Sequence, residues 1–197
     1  MKKLVVPGEL LFPYEQKGDF YYCEEGKTYS SVVGIFDTDN KVLTPLESVY
    51  IPKPLHKVIG IVTEERFVNY LVDINSPFEG IILSKFLKFD LNIGDIVEAK
   101  VKNIESGGMV VLENVKRLVG GKLIEIKPSK IPRVIGKNAS MQKIIEENTK
   151  TKMIIGLNGR IWIKGENIAK ATKAIRKIEK EAHTSGLTER ILKLLKE

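Results

Sequence analysis

A chain of 197 residues is longer than one average domain and shorter than two large ones, and its 43% apolar content is enough for two or three small packed cores. No run approaches the ~18 consecutive apolar residues of a membrane span, and Pro7 interrupts the start before an apolar signal region develops, so a soluble cytoplasmic protein is expected. The net charge of +7 sits in the last third: residues 120–197 hold 18 Lys and Arg against 8 Asp and Glu, where residues 1–54 hold 6 against 8 and residues 55–119 hold 8 against 9.

Residues 1–54 alternate short β-type runs (3–6, 20–23, 31–36 and 41–43) with turns, among them Asp37-Thr38-Asp39-Asn40. With Gly8, Gly18, Gly26 and Gly34 as punctuation, this predicts a small all-β unit. Ile51-Pro52-Lys53-Pro54 cannot continue a sheet interior and reads as the first domain boundary. Residues 55–119 hold five more runs rich in Val and Ile: 57–63, 67–74, 80–83, 95–104 and 109–112. Asn75-Ser76-Pro77, Asn92-Ile93-Gly94 and Ser106-Gly107-Gly108 separate them. Five short strands at this spacing suit a closed Greek-key barrel of the OB type, with a sandwich fragment as the alternative. Gly120-Gly121 ends the unit and reads as a hinge.

The period then changes. A strand is predicted over 122–127, helices over 131–135 and 140–149, strands over 152–156 and 160–164 around Leu157-Asn158-Gly159, and a long helix over 166–183. Ile168, Ala171, Ile175, Ile178 and Ala182 recur at three- and four-residue steps, an apolar face for a sheet, with Lys170, Lys173, Lys177 and Lys180 on other positions. Ser185 and Gly186 stop that helix, and 187–196 reads as an amphipathic tail helix. The predicted fold class is therefore multi-domain: a β-rich N-terminal half, with an all-β domain at 1–54 and a five-stranded barrel at 55–119, followed by an α+β domain of order β-α-α-β-β-α at 120–197.

Within this last domain, Ile131-Pro132-Arg133-Val134-Ile135-Gly136-Lys137-Asn138-Ala139-Ser140 places a glycine turn and two cations just ahead of a helix. Backbone N–H groups, the positive end of a helix dipole and Arg133 with Lys137 together suit a phosphate. The alternative is a basic corner on a solvated face. The charge asymmetry favours a polyanionic partner, nucleic acid ahead of a membrane, because no amphipathic helix carries an aromatic insertion face; an ordinary Lys-rich surface is the competing reading. Cys23, His56 and His183 lie too far apart in sequence to suggest a disulfide or a metal site, and no acidic pair has metal-ligand spacing beside a His. Neither a cofactor, a metal, a small-molecule substrate nor a catalytic residue is expected.

The order β-α-α-β-β-α with a glycine-basic loop between its first helices resembles a K-homology (KH) domain, whose Gly-x-x-Gly loop clamps a nucleic-acid backbone. Here that loop is Gly136-Lys137-Asn138-Ala139, with Ala139 in the second glycine's place. The middle unit resembles an S-one type OB fold through Gly60-Ile61-Val62-Thr63, Leu71-Val72-Asp73-Ile74 and Phe78-Glu79-Gly80. Pro7-Gly8-Glu9 and Ser31-Val32-Val33-Gly34 resemble the N-terminal domain of exosome cap subunits. Together these cover nearly the whole chain and are similar to the archaeal exosome RNA-binding cap subunits of the ribosomal-RNA-processing-protein-four type, with Asn158-Gly159-Arg160-Ile161-Trp162-Ile163 as the KH strand hairpin.

The resemblance implies a cap without catalytic function: three copies on a ring of phosphorolytic ribonuclease subunits, guiding the 3′ end of single-stranded RNA into its pore. It further implies that the first domain docks on the ring while the S-one and KH domains handle RNA. Family positions that stack bases appear here as Val68, Leu71 and Leu83, which shifts the expected contacts to loop charge. The expected RNA-binding residues are Arg66, Phe67, Lys102 and Arg117 in the S-one unit and Arg133, Gly136, Lys137 and Asn138 in the KH loop. Tyr70 and Phe78 are expected in the core, and Trp162 as a packing anchor on the sheet face opposite Ile161 and Ile163. A transcription or translation factor built on the same two modules is the alternative to the cap.

Overall fold

The chain divides into two units, Met1–Ser48 and Val49–Glu197, in a computed structural model that describes residues 2–18, 20–46, 49–105, 107–182, 184 and 186–196. The first unit holds six strands: β1 (Lys2–Val5), β2 (Leu10–Phe12), β3 (Tyr21–Glu24), β4 (Lys27–Ser30), β5 (Gly34–Asp37) and β6 (Val42–Pro45). They form two antiparallel sheets, of order β1-β5-β6 and β2-β4-β3. Val5, Phe12, Phe36 and Leu43 make the core, with the Phe12 ring edge-on to Phe36 at 5.3 Å. The turn at 37–40 forms as expected, held by the Asp37 carboxylate, which accepts from the Asp39 and Asn40 N–H groups.

β2 and β4 go beyond the sequence expectation, for a physical reason. The inward positions of β4 are Thr28 and Ser30, both fully buried, so the strand lacks apolar alternation. Their hydroxyls are satisfied locally, Thr28 Oγ1 donating to the Tyr14 carbonyl at 2.8 Å and Ser30 Oγ to that of Val32 at 2.6 Å. The second bond also curls residues 30–32, which is why the strand expected over 31–36 begins only at Gly34.

In the second unit β7 (Lys57–Glu65), β8 (Asn69–Asp73), β9 (Gly80–Leu83), β10 (Ile96–Ile104) and β11 (Val110–Leu118) close into a barrel of order β10-β11-β9-β8-β7. The barrel, not a sandwich, is the outcome. A parallel pairing of β9 with β11 completes it, and Val58, Val72, Ile82, Val97, Val101 and Val110 fill its interior. β11 runs on well past residue 112 because a bulge opposite Glu98 and Lys100 absorbs Asn114, whose φ is +54°. Tyr70 is in the core, but Phe78 is not: it is partly exposed and its ring lies against Gly108, where a Cβ would clash. Of the turn at 106–108, Ser106 lies outside the described residues.

The remainder follows the expected order: β12 (Lys122–Glu125), α1 (Ile131–Ile135), α2 (Ser140–Thr149), β13 (Thr151–Ile155), β14 (Arg160–Gly165), α3 (Ile168–Glu181) and α4 (Leu187–Lys196). The sheet, of order β12-β14-β13, turns Ile124, Met153, Ile155, Ile161 and Ile163 towards the helices, where they meet Val134, Ile145 and the α3 residues Ala171, Ile175 and Ile178. His183 and Ser185, read as the end of the long helix, lie outside the described residues. No helix among the described residues is long and apolar enough to cross a membrane.

Gly120-Gly121, expected as a hinge, lies packed against β14. The Trp162 indole, buried on the sheet face away from the helices, occupies the space a Gly121 side chain would need, and Lys164 Nζ donates to the Val119 carbonyl at 3.2 Å. Packing and hydrogen bonding hold the connector on β14.

Candidate nucleic-acid interface

Between α1 and α2 the chain turns through Gly136, with φ 73° and ψ 175°, a conformation that glycine adopts at little cost and that closes α1 by a Gly136 N–H bond to the Pro132 carbonyl. Asn138 (φ 53°) and Ala139 (φ 60°) follow, both left-handed, before α2 starts at Ser140. Asparagine tolerates this region; for Ala139 the Cβ costs ~1–2 kcal/mol. Ala139 offers no side-chain cap for α2; instead the Ala139 N–H donates to the Gly136 carbonyl at 3.3 Å and the Ser140 N–H to the Lys137 carbonyl, so the loop closes on its own backbone. Arg133 and Lys137 are exposed on either side of Gly136, and neither pairs with a carboxylate among the described residues. The structure thus gathers Arg133, Gly136, Lys137 and Asn138 at one loop.

The four residues expected on the barrel are not gathered in this way. Arg66 is clamped by Glu64, Nε to Oε1 at 2.8 Å and Nη2 to Oε2 at 3.0 Å. That hydrogen-bonded pairing holds the Glu64 carboxyl below the usual carboxylate range and raises the Arg66 guanidinium further. Arg117 pairs with Asp95 at 3.2 Å. Phe67 lies outside β8 and is wholly exposed (102%), a ring with no protein neighbour to pack on. Lys102 projects from β10 towards the Phe86 ring, 5.7 Å from its centroid.

A second glycine turn, Gly156-Leu157-Asn158-Gly159 between β13 and β14, joins the barrel to the β12-β14-β13 sheet. β8 pairs with β7 only from Ile61 onward, so the β8 side of β7 at residues 57–59 is open. The turn fills it: the Leu157 N–H donates to the Lys57 carbonyl (2.9 Å), Asn158 Nδ2 to the carbonyls of Ile59 and Ile74 (2.8 Å each), and the Ile59 N–H to Asn158 Oδ1 (3.2 Å). Beside it Arg160, only 4% exposed, reaches the Asp73 carboxylate and carbonyl at 2.5 Å and Glu125 at 2.7 Å, bridging the two folds. Burial pushes the Asp73 carboxyl up, but hydrogen bonds from Arg160 and from the Asn75 N–H outweigh it and leave Asp73 below the usual range. Asn158 and Arg160 were legible only as part of a hairpin; a polar pair around a glycine carries no sign of what it will be buried against.

Residues 121–169 match the KH domain family. A protein called exosome complex component Rrp4 from Pyrococcus abyssi is 39% identical, the match covering 98% of this chain and 82% of that protein. The chain belongs to the exosome component Rrp4 family. Other Rrp4 proteins agree: that of Methanosarcina mazei is 37% identical over 99% of this chain and 82% of its own, and that of Methanothermus fervidus 38% identical over 96% and 93%. A crystal structure of a protein assigned as an exosome complex RNA-binding protein superposes with a TM-score of 0.70 at 36% identity, covering 76% of this chain and 96% of that one. The β-rich half, the closed barrel and the KH domain are thus the architecture of the Rrp4 family in this chain.

Proposed function

We propose that this protein is the RNA-binding cap subunit of a cytoplasmic exosome, without catalytic function of its own. In this reading three copies seat residues 1–54 on a ring of phosphorolytic ribonuclease subunits, the barrel of residues 55–119 surrounds the entry, and the KH domain of residues 120–197 gathers single-stranded RNA so that its 3′ end enters the ring. Membership of the Rrp4 family across nearly the whole chain supports it, as does the name of the crystallised relative. The observation that carries the RNA-binding part is the KH loop, where Arg133 and Lys137, both exposed and without a carboxylate partner among the described residues, flank the Gly136 turn.

Such a loop holds phosphates, not base edges, so affinity should fall with salt and depend little on sequence. The test is to incubate the purified protein with single-stranded RNA labelled at its 5′ end, in phosphate and Mg²⁺, with and without a phosphorolytic ring. The expected result is retention without shortening by the protein alone, and faster 3′-to-5′ shortening by the ring when the protein is added. Shortening that follows this chain through successive purification steps would overturn the non-catalytic reading.

A further inference from the structure

Of the three positions where family members stack bases, Leu71 packs with Ile81 and Val111 beneath Met109, an aliphatic patch on the outer barrel face. The exposed aromatic surface lies farther along the same face. β9 pairs with β11 only at Gly80 with Val110 and Ile81 with Val111. It then leaves the sheet through a 3₁₀ turn, Ser84–Phe86, opening a groove of about 490 Å³ over β11. Val111 belongs both to the aliphatic patch and to the groove, so the two are continuous.

Two phenylalanines stand at this groove, Phe86 with 67% and Phe89 with 40% of its surface open to solvent. Lys85 and Lys102 hold their ammonium groups 5.1 and 5.7 Å from the Phe86 ring centroid, and Lys88 also lines the groove. Among the described residues none of the three lysines is paired with a carboxylate, whereas Arg66 and Arg117 both are. Glu113 is the acidic residue on the groove wall. An open aromatic face ringed by unpaired cations suits a unit that offers a π-face and a phosphate together, as a nucleotide does. A duplex cannot offer that face, because its bases already stack on one another.

We propose that Phe86, with Lys85, Lys88 and Lys102, forms a stacking platform for one base of single-stranded RNA, the lysines taking the adjoining phosphates. The platform takes over the stacking expected of the strand positions now held by Val68, Leu71 and Leu83. This inference rests on the RNA-binding reading above, and its test separates the two. Full-length wild-type protein, Phe86→Leu, Phe86→Trp and the double variant Arg133→Glu/Lys137→Glu are titrated with single-stranded oligo(A) carrying a fluorescent adenine analogue and with duplex RNA. Phe86 is exposed, so Phe86→Leu should unfold at the wild-type temperature. It should bind oligo(A) about 5- to 150-fold more weakly and lose the quenching that stacking produces, while leaving duplex affinity unchanged; Phe86→Trp should restore the oligo(A) affinity and the quenching. Wild-type affinity in Phe86→Leu, while the KH-loop variant binds weakly, would overturn the platform and leave the RNA reading standing. Wild-type RNA binding with lost assembly on ring subunits would make the groove a protein contact and also overturn it. No retention of any RNA by the wild type would overturn both readings.

Discussion

Two turns of the KH domain share one pattern, a glycine, a variable residue, an asparagine and a small residue: Gly136-Lys137-Asn138-Ala139 and Gly156-Leu157-Asn158-Gly159. Their fates are opposite. Asn158 is fully buried and uses both ends of its amide on the barrel, whereas Asn138 is exposed, with no hydrogen-bond partner among the described residues. The second turn is spent on structure, plugging an open stretch of β7; the first keeps its two cations exposed and without a carboxylate partner among the described residues. A local pattern defines a backbone shape, and its neighbours decide whether that shape binds or holds.

The largest effect expected from this contrast is at the buried turn. Asn158→Ala would leave the Ile59 N–H and the carbonyls of Ile59 and Ile74 without their partner. Buried unsatisfied groups cost about 1–3 kcal/mol each, so the second unit should lose roughly 3 kcal/mol or more, about 6–12 °C in thermal unfolding. Asn138→Ala, at a solvated but left-handed position, should cost no more than about 1–2 kcal/mol. Equal losses from the two variants would end the distinction between the turns.

Ala139→Gly should act in the other direction. Removing the Cβ from a left-handed residue should stabilise the loop by about 1 kcal/mol, raising the unfolding temperature by about 2–4 °C and tightening RNA binding by letting the backbone approach. A titration with no gain in affinity would mean that RNA does not approach the Ala139 backbone.

A smaller effect concerns pH. The Asp73 carboxyl is held below its unfolded value, so the stability it contributes is present above the ordinary carboxylate range near pH 4 and is lost as pH falls through the lower folded value. In urea unfolding, Asp73→Asn should therefore be less stable than wild type at pH 7, with the gap closing on acidification below pH ~4. A gap independent of pH would remove Arg160–Asp73 charge pairing from the junction.

Much of this fold is legible because its elements announce themselves. The five barrel strands are rich in β-branched residues, and α3 carries Ala171, Ile175 and Ile178 on one face, so periodicity alone locates them. β4 escapes because its buried residues are Thr28 and Ser30, and the tail of β11 because the bulge at Asn114 interrupts its alternation. The candidate site divides in the same way. Arg133, Gly136, Lys137 and Asn138 are neighbours in sequence and are found together. Arg66 and Arg117 look as basic as Arg133, but Arg66 is paired with Glu64 two residues before it, and Arg117 with Asp95 through a contact that only the fold creates. Phe86 and its lysines come from two separate strand ends, and although Lys85-Phe86-Leu87-Lys88-Phe89 interleaves aromatic and basic residues, Lys102 joins them only in three dimensions.

The most direct test of the KH loop as an RNA contact is the salt dependence of single-stranded RNA affinity, measured for wild type, for Arg133→Glu/Lys137→Glu and for Arg66→Glu/Arg117→Glu. Each phosphate contact contributes about 0.7 to the slope of log affinity against log salt on a single strand. The account predicts that reversing the two loop cations lowers the slope by about 1.4 or more and weakens binding, while reversing the two paired arginines of the barrel does markedly less. An unchanged slope for the loop variant, or a larger fall for the barrel variant, would contradict it.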